Sequence, residues 1–225
     1  MSDIPEIKTA ALFDLSHTVA GDFLQACAYP HEALERIGAW ICLIGATLSL
    51  AEYEHPEKDI WIAKNARVAP TASIQGPCLI GSESEIRHGA FIRGNALVGR
   101  NAVVGNSTEL KNAILLDEVQ VPHFNYVGDS ILGYRAHLGA GAITSNVKSD
   151  RSPVVIRCGE AYLQTGRRKV GAMIGDRAEV GCNSVLCPGT VLGRDTVVYP
   201  LSFVRGTVPE DTIYKNRNEI RPRLR

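Results

Sequence analysis

The sequence predicts a mainly β fold, a parallel β-helix built on a hexapeptide repeat and preceded by a short N-terminal helical region. Three observations predict it. An aliphatic residue returns every six positions along most of the chain, a small residue sits four places after each early beat, and residues 1–57 lack the beat. A period of six fits neither a helix nor an alternating strand. It fits a coil with three flat sides, each side giving one aliphatic residue to the axis and one small residue to a tight corner. A sandwich of short strands would not hold so strict a period.

Residues 1–57 form the first region. "PHEALERIGAWICLIG" places Ala33, Leu34, Ile37, Trp40, Ile41 and Ile44 on one helical face, with Pro30 near its start. Two roles fit: a cap over the open end of the solenoid, whose strand edges would otherwise be unpaired, or a helix that binds a partner.

The solenoid is expected over residues 58–209. Its beat runs Ile62, Val68, Ile74, Ile80, Ile86, Ile92, Val98, Val104 and Leu110. A five-residue step leads to Leu115, and a second leads from Val127 to Leu132, with Val121 between them. Leu138 and Thr144 follow, and after an interruption the beat returns at Ile174, Val180, Leu186, Leu192, Val198 and Val204. The small residues are Ala66, Ala72, Cys78, Ser84, Ala90, Ala96, Ala102 and Thr108. Stacked coils pair their backbones at the ordinary strand spacing of ~4.8 Å.

The interruption, at about 147–170, holds a β-like run, "PVVIRC", and a basic cluster, Arg167-Arg168-Lys169. Insertions in solenoids become loops on one face, often the binding face. A protruding loop that reaches a neighbouring subunit is expected here, against the plainer reading of a decorative hairpin. Residues 210–225 form a basic tail, solvated or touching a ligand phosphate.

Composition excludes several classes. The formal net charge is zero, which argues against general nucleic-acid binding, since that rests on surplus Lys and Arg. The most apolar stretch, residues 40–51, falls short of the ~20 residues needed to span a bilayer. The acidic start "MSDIPEIKTAALFDL" lacks the form of a secretory leader, so a cytoplasmic protein without membrane contact is expected. Six Cys form no CxxC pair, so neither a zinc ribbon nor a disulfide framework is suggested.

Candidate chemistry follows from coil geometry. Residues about eighteen apart stack on one side. Arg93 and Lys111 each follow a beat residue, so they occupy equivalent places on consecutive coils, with Gly128 next above them. Two cations ~5 Å apart repel by ~3 kcal/mol at an effective dielectric of 20, and a shared anion would reverse the sign. They form either a phosphate site or a solvated pair. His123 and Tyr126 fall near the same edge, and a neutral imidazole there can take a proton from an attacking amine or hydroxyl. His123 is thus either a general base or an ordinary surface residue. His88 and His123 occupy equivalent places two coils apart, roughly 9.6 Å, too far for one zinc ion, and no metal is expected.

The stretch "HFNYVGDSILGYRAHLGAGAITSNV", with "VGNSTELKNAIL" and "RRKVGAMIGDRAEVG", resembles the acetyltransferase domain of the bifunctional glucosamine-1-phosphate acetyltransferase/N-acetylglucosamine-1-phosphate uridylyltransferases. It is also similar to the β-helix half of archaeal sugar-1-phosphate nucleotidylyltransferases. The resemblance runs from about residue 62 to 208 and implies a left-handed β-helix. It implies acetyl transfer from acetyl-CoA to an amino-sugar phosphate by a homotrimer with active sites between subunits.

Position by position, the resemblance makes His123 the catalytic base and Asn146 a substrate-contacting residue of the catalytic set. Arg93, Lys111 and Tyr126 hold the sugar phosphate, with Lys169 nearby, and the backbone at Ala140 meets the acyl donor. His137 stands where the family has a sugar-binding Asn, Val147 where it has Tyr, and Cys182 where it has Ser near the donor. Cys182 is either a packed corner residue or an acyl-carrying nucleophile. The family's nucleotidyltransferase half is not in this sequence. The rival reading is a non-catalytic module, related to UDP-N-acetylglucosamine pyrophosphorylase, that binds a sugar nucleotide and trimerises.

Overall fold

The computed structural model describes residues 3–223, and in it the repeat winds into a left-handed parallel β-helix of triangular section. The first wall stacks Ile60–Ala63, Cys78–Ile80 and Ala96–Val98, then the ends of Glu109–Leu115 and Tyr126–Leu132, then Ala172–Ile174, Thr190–Leu192 and Thr207–Val208. The second runs from Arg67–Val68 through Gln120–His123 and His137–Leu138 to Thr212–Asn216, where Glu219–Pro222 adds an antiparallel edge. The third runs from Ser73–Gln75 through Phe91–Arg93, the starts of Glu109–Leu115 and Tyr126–Leu132, and Ile143–Thr144 to Phe203–Val204.

The beat residues fill the axis: from Ile80 to Val204 every one, Thr144 included, is buried. The five-residue steps have a local cause at the corner between the third and first walls. An early coil turns there on two residues at positive φ, Gly94 (83°) and Asn95 (48°), whereas later coils turn on Asn112 (51°) or Asp129 (48°) alone. Asn and Asp are the side-chain-bearing residues that enter this region most readily. One corner residue fewer shortens the step, and the beat stays in register, with Leu110 paired to Val127 and Leu115 to Leu132.

The N-terminal segment reaches the open edge of the solenoid through Tyr53–Glu54, which pairs antiparallel with Ile60–Ala63. It lies along the first wall, where every strand before the last turns an apolar residue outward: Trp61, Leu79, Leu97, Ile114, Ile131, Met173 and Val191. Against these pack Leu12 of α1 (Thr9–Leu12), Leu24 of α2 (Gly21–Gln25), Leu34, and Ile37 and Ile41 of α3 (Ile37–Gly45). The result is a second core outside the first, each fully buried Leu or Ile contributing about 1.5–3 kcal/mol. Gly45 allows the close approach of α3, since a Cβ there would lie 2.4 Å from the Trp61 ring. Where the segment starts, the buried Asp176 carboxylate accepts from the Asp14 N–H (2.6 Å) and the Tyr134 N–H (2.8 Å).

The insertion expected to protrude folds back instead. Val155–Cys158 pairs antiparallel with Ala161–Gln164, and Val154, Ile156 and Leu163 enter the second core. Its apolar side is therefore spent on its own chain, leaving Arg157 and Tyr162 exposed. No helix among the described residues is long and apolar enough to cross a membrane.

Candidate active site

Several outward residues of the third wall are apolar yet uncovered. Ile143 sits partly open, and Phe203 is 67% exposed. At its border with the second wall, Phe124 is 60% and Leu201 80% exposed. Among the described residues, nothing covers Phe124 or Leu201 at that border.

His123 ends the second-wall strand Gln120–His123 at this corner, exposed, with no hydrogen bond to its ring among the described residues. Its backbone is rigid. The His123 N–H donates to Asn125 Oδ1 (3.1 Å), and the Gly141 N–H donates to the His123 carbonyl (3.1 Å). Asn125 is buried and donates to the Gly139 (2.8 Å) and Ala142 (3.2 Å) carbonyls, tying the corner to the next coil. Asn125 went unread in the sequence, although the buried Asn of a sharp corner was legible as a backbone anchor.

Ala140 and Cys182 continue the same corner. The Asn183 N–H donates to the Ala140 carbonyl (2.8 Å), and a Cβ at Gly139 would lie 3.0 Å from Cys182 Sγ. Cys182 is exposed, its thiol without a hydrogen bond or ion pair among the described residues, so no base stands beside it. His123, Ala140 and Cys182 thus form one column.

The remaining residues gather at the opposite border of the third wall, not around the His123 edge. Tyr126 crosses the wall between them. Its ring lies over Gly128, where a Cβ would sit 2.5 Å from the phenol oxygen, so the space expected above the cation pair is filled. Asn146 Nδ2 donates to Tyr126 Oη (3.2 Å) and to Asp129 Oδ2 (2.5 Å). Burial pushes the Tyr126 phenol above its ordinary value.

Arg93 and Lys111 stack as the register requires, but neither is bare. Arg93 Nη1 is 2.6 Å from Glu109 Oε1, and Lys111 Nζ is 3.3 Å from Asp129 Oδ2. The repulsion expected of two bare cations is offset, because each has its own carboxylate. Glu109 and Asp129 were both in quoted motifs, and it was their stacking beside the cations that went unnoticed.

His137 and Lys169 stand apart from this group. His137 faces outward on the second wall, with Nδ1 2.9 Å from Glu179 Oε2. Lys169 is exposed, and its backbone bridges Val147 across the neck of the insertion. Val147 is likewise exposed. His88 bonds Thr71 Oγ1 through Nδ1 (2.7 Å), and Asn106 lies between its coil and that of His123.

Farther along the third wall, two adjoining clefts of about 480 and 420 Å³ share Arg157, Phe203 and Arg205. Arg217 lines the smaller one. His123 lines neither. None of the three arginines forms an ion pair among the described residues, and Arg157 stacks on Tyr162 (5.3 Å). Arg205 follows the beat residue Val204 as Arg93 follows Ile92, so the rule that picked out the first pair also points to it.

Comparison with known proteins places these features in a family. Residues 74–156 match the model of the GMPPB C-terminal domain. The chain is 36% identical over 182 residues to the "putative uncharacterized acetyltransferase YaiX" of Escherichia coli K12, covering 73% of this chain and 77% of that one. It is 30% identical over 166 residues to the bifunctional sugar-1-phosphate nucleotidylyltransferase/acetyltransferase of Sulfurisphaera tokodaii, covering 66% of this chain but 41% of the relative. Among solved structures, a variant of perosamine N-acetyltransferase from Caulobacter crescentus in complex with CoA and GDP-perosamine aligns at 16% identity and a TM-score of 0.35. That alignment covers 74% of this chain and 57% of the other, and at such a score it carries no argument about function.

Proposed function

The chain belongs to the acetyltransferase family that includes the YaiX proteins of Escherichia coli, and from that premise we propose that it moves acetyl from acetyl-CoA to an amino-sugar phosphate. One observation carries the reading: the His123–Ala140–Cys182 corner runs along the third wall toward a cleft with three unpaired arginines. A long donor with a polyanionic end suits that layout. Its phosphates would meet Arg157, Arg205 and Arg217, and its thioester would lie along the corner.

In this mechanism the acceptor amine attacks the thioester carbon and His123 takes the proton, as a positioned imidazole can. The C–N bond forms while the carbonyl oxygen gains charge, and a corner N–H would stabilise it. Collapse then breaks the C–S bond and releases CoA as the thiol, the imidazolium returning the proton. Tyr126, Asn146 and Lys111 would hold the acceptor on the far border of the wall. The uncovered Phe124, Leu201 and Phe203 support a homotrimer whose neighbour closes this wall.

The test is thiol release from acetyl-CoA with a panel of hexosamine phosphates and sugar nucleotides. Turnover that depends on an acceptor amine supports the reading. Tight sugar-nucleotide binding with no thiol release would instead make the chain a binding and trimerisation module.

A further inference from the structure

Asp129 stands at the crossing of everything on the far border of the third wall. It is 3% exposed and turns the corner at φ 48°. Its carboxylate accepts from Lys111 Nζ (3.3 Å), Asn112 Nδ2 (2.8 Å) and Asn146 Nδ2 (2.5 Å). Asn146 in turn holds the Tyr126 phenol. The Asp129 carbonyl accepts from the Gly171 N–H (2.7 Å). Asn146 immediately precedes the 147–170 insertion and Gly171 immediately follows it, so one residue ties both ends of the insertion to the wall.

We propose that Asp129 is the positioning residue of the acceptor site. It fixes the directions of Lys111 and Asn146 and, through Asn146, of Tyr126. A buried carboxylate with three donors is costly to disturb, because each donor loses its partner with it. The role makes a prediction opposite in sign to simple electrostatics. Removing a negative charge beside an anion site should tighten phosphate binding; removing the residue that aims the site's donors should weaken it. The argument rests on the acyltransferase reading for its assay but not for its geometry.

Two measurements on the full chain decide it. In the transfer assay, Asp129→Asn is expected to raise the acceptor KM by roughly tenfold to a hundredfold, the scale of a small misplacement of binding groups. The acetyl-CoA KM should stay within about twofold, since Arg157, Arg205 and Arg217 are not among the side chains that Asp129 holds. In ¹⁵N spectra of the free protein, Asp129→Asn should shift the side-chain signals of Lys111, Asn112 and Asn146 while the wall amides of Phe91–Arg93 keep theirs. An acceptor KM that is unchanged or lowered overturns the proposal, as do unshifted Lys111 and Asn146 signals. Where wild type turns over no acceptor, the acyltransferase reading fails and the spectra alone judge Asp129. Should Asp129→Asn not fold, Asn112→Ala removes one donor without stranding a charge; it must raise the acceptor KM severalfold, and an unchanged KM overturns the proposal.

Discussion

The Tyr126 ring occupies the volume that any side chain at position 128 would need, its hydroxyl 2.5 Å from where a Cβ would stand. Gly128 is therefore the floor of the site. Its φ is not positive, so alanine is acceptable to the backbone, and the three atoms nearest its Cβ all belong to the Tyr126 phenol. Gly128→Ala should swing Tyr126 off Asn146, raising the acceptor KM and costing about 1–3 kcal/mol in stability, as overpacking does. Paired chemical denaturation and steady-state kinetics check this; a variant with normal KM would remove Tyr126 from the acceptor site.

The open border of the third wall predicts assembly. Light scattering at micromolar concentration should give a mass near three chains of 24.4 kDa. Phe124→Glu combined with Leu201→Glu should shift it toward one chain, since charges cannot be buried unpaired in an apolar contact. A wild-type mass near one chain would remove the trimer and the shared active site together.

Much of this was legible because the beat is a strong signal. The beat residues from Ile80 to Val204 all reach the axis, and the register that stacks Arg93 on Lys111 follows from counting alone. The covered wall was legible too but was missed. The residue just before each first-wall beat is apolar (Leu79, Leu97, Ile114, Ile131, Met173, Val191), whereas the second wall mostly has charged or polar residues there (Arg67, Glu85, Gln120, His137, Glu179), with Val103 and Val197 the exceptions. That contrast marks the wall that the N-terminal helices lie along. What spacing could not give is which way a long side chain leans. Lys111 turning to Asp129, one coil on, and Tyr126 lying down over Gly128, two residues on, are rotamer choices that the period does not set.

The paired and unpaired cations should separate in kinetics. Arg205→Ala should raise the acetyl-CoA KM about tenfold and flatten its salt dependence, with acceptor KM little changed. Lys111→Ala should do the reverse, acting on the acceptor. If Arg205→Ala and Arg157→Ala both leave CoA affinity intact by calorimetry, the clefts do not hold the donor's phosphates.

His31 predicts a pH-dependent stability. It is buried under the helical segment with Nδ1 unpartnered, and burial, with Arg167 nearby, holds its pKa below the ordinary 6.5. The unfolded chain then binds the proton first, so the His31 contribution is present above pH 6.5 and is lost as pH falls below it. The slope is at most about 1.4 kcal/mol per pH unit. His31→Leu should therefore gain on wild type as pH falls below 6.5. A stability difference that stays flat across that window would mean His31 is not held neutral.

His123 carries the last prediction. Its backbone is locked from both sides, by Asn125 Oδ1 and by the Gly141 N–H, while its ring is free, so a substitution should change chemistry without moving the corner. His123→Ala should lower kcat by roughly 10²–10⁴-fold, the scale of a positioned general base, with acetyl-CoA affinity nearly unchanged. His123→Asn should be almost as poor, because an amide can hydrogen-bond to the amine but cannot accept its proton. Acceptors with a range of amine pKa values would test the role directly. Once the amine no longer needs a base, the wild-type advantage over His123→Ala should shrink. If His123→Ala retains most of the wild-type kcat, proton removal lies with another residue. His137, paired with Glu179 on the same second wall, is then the imidazole to replace next.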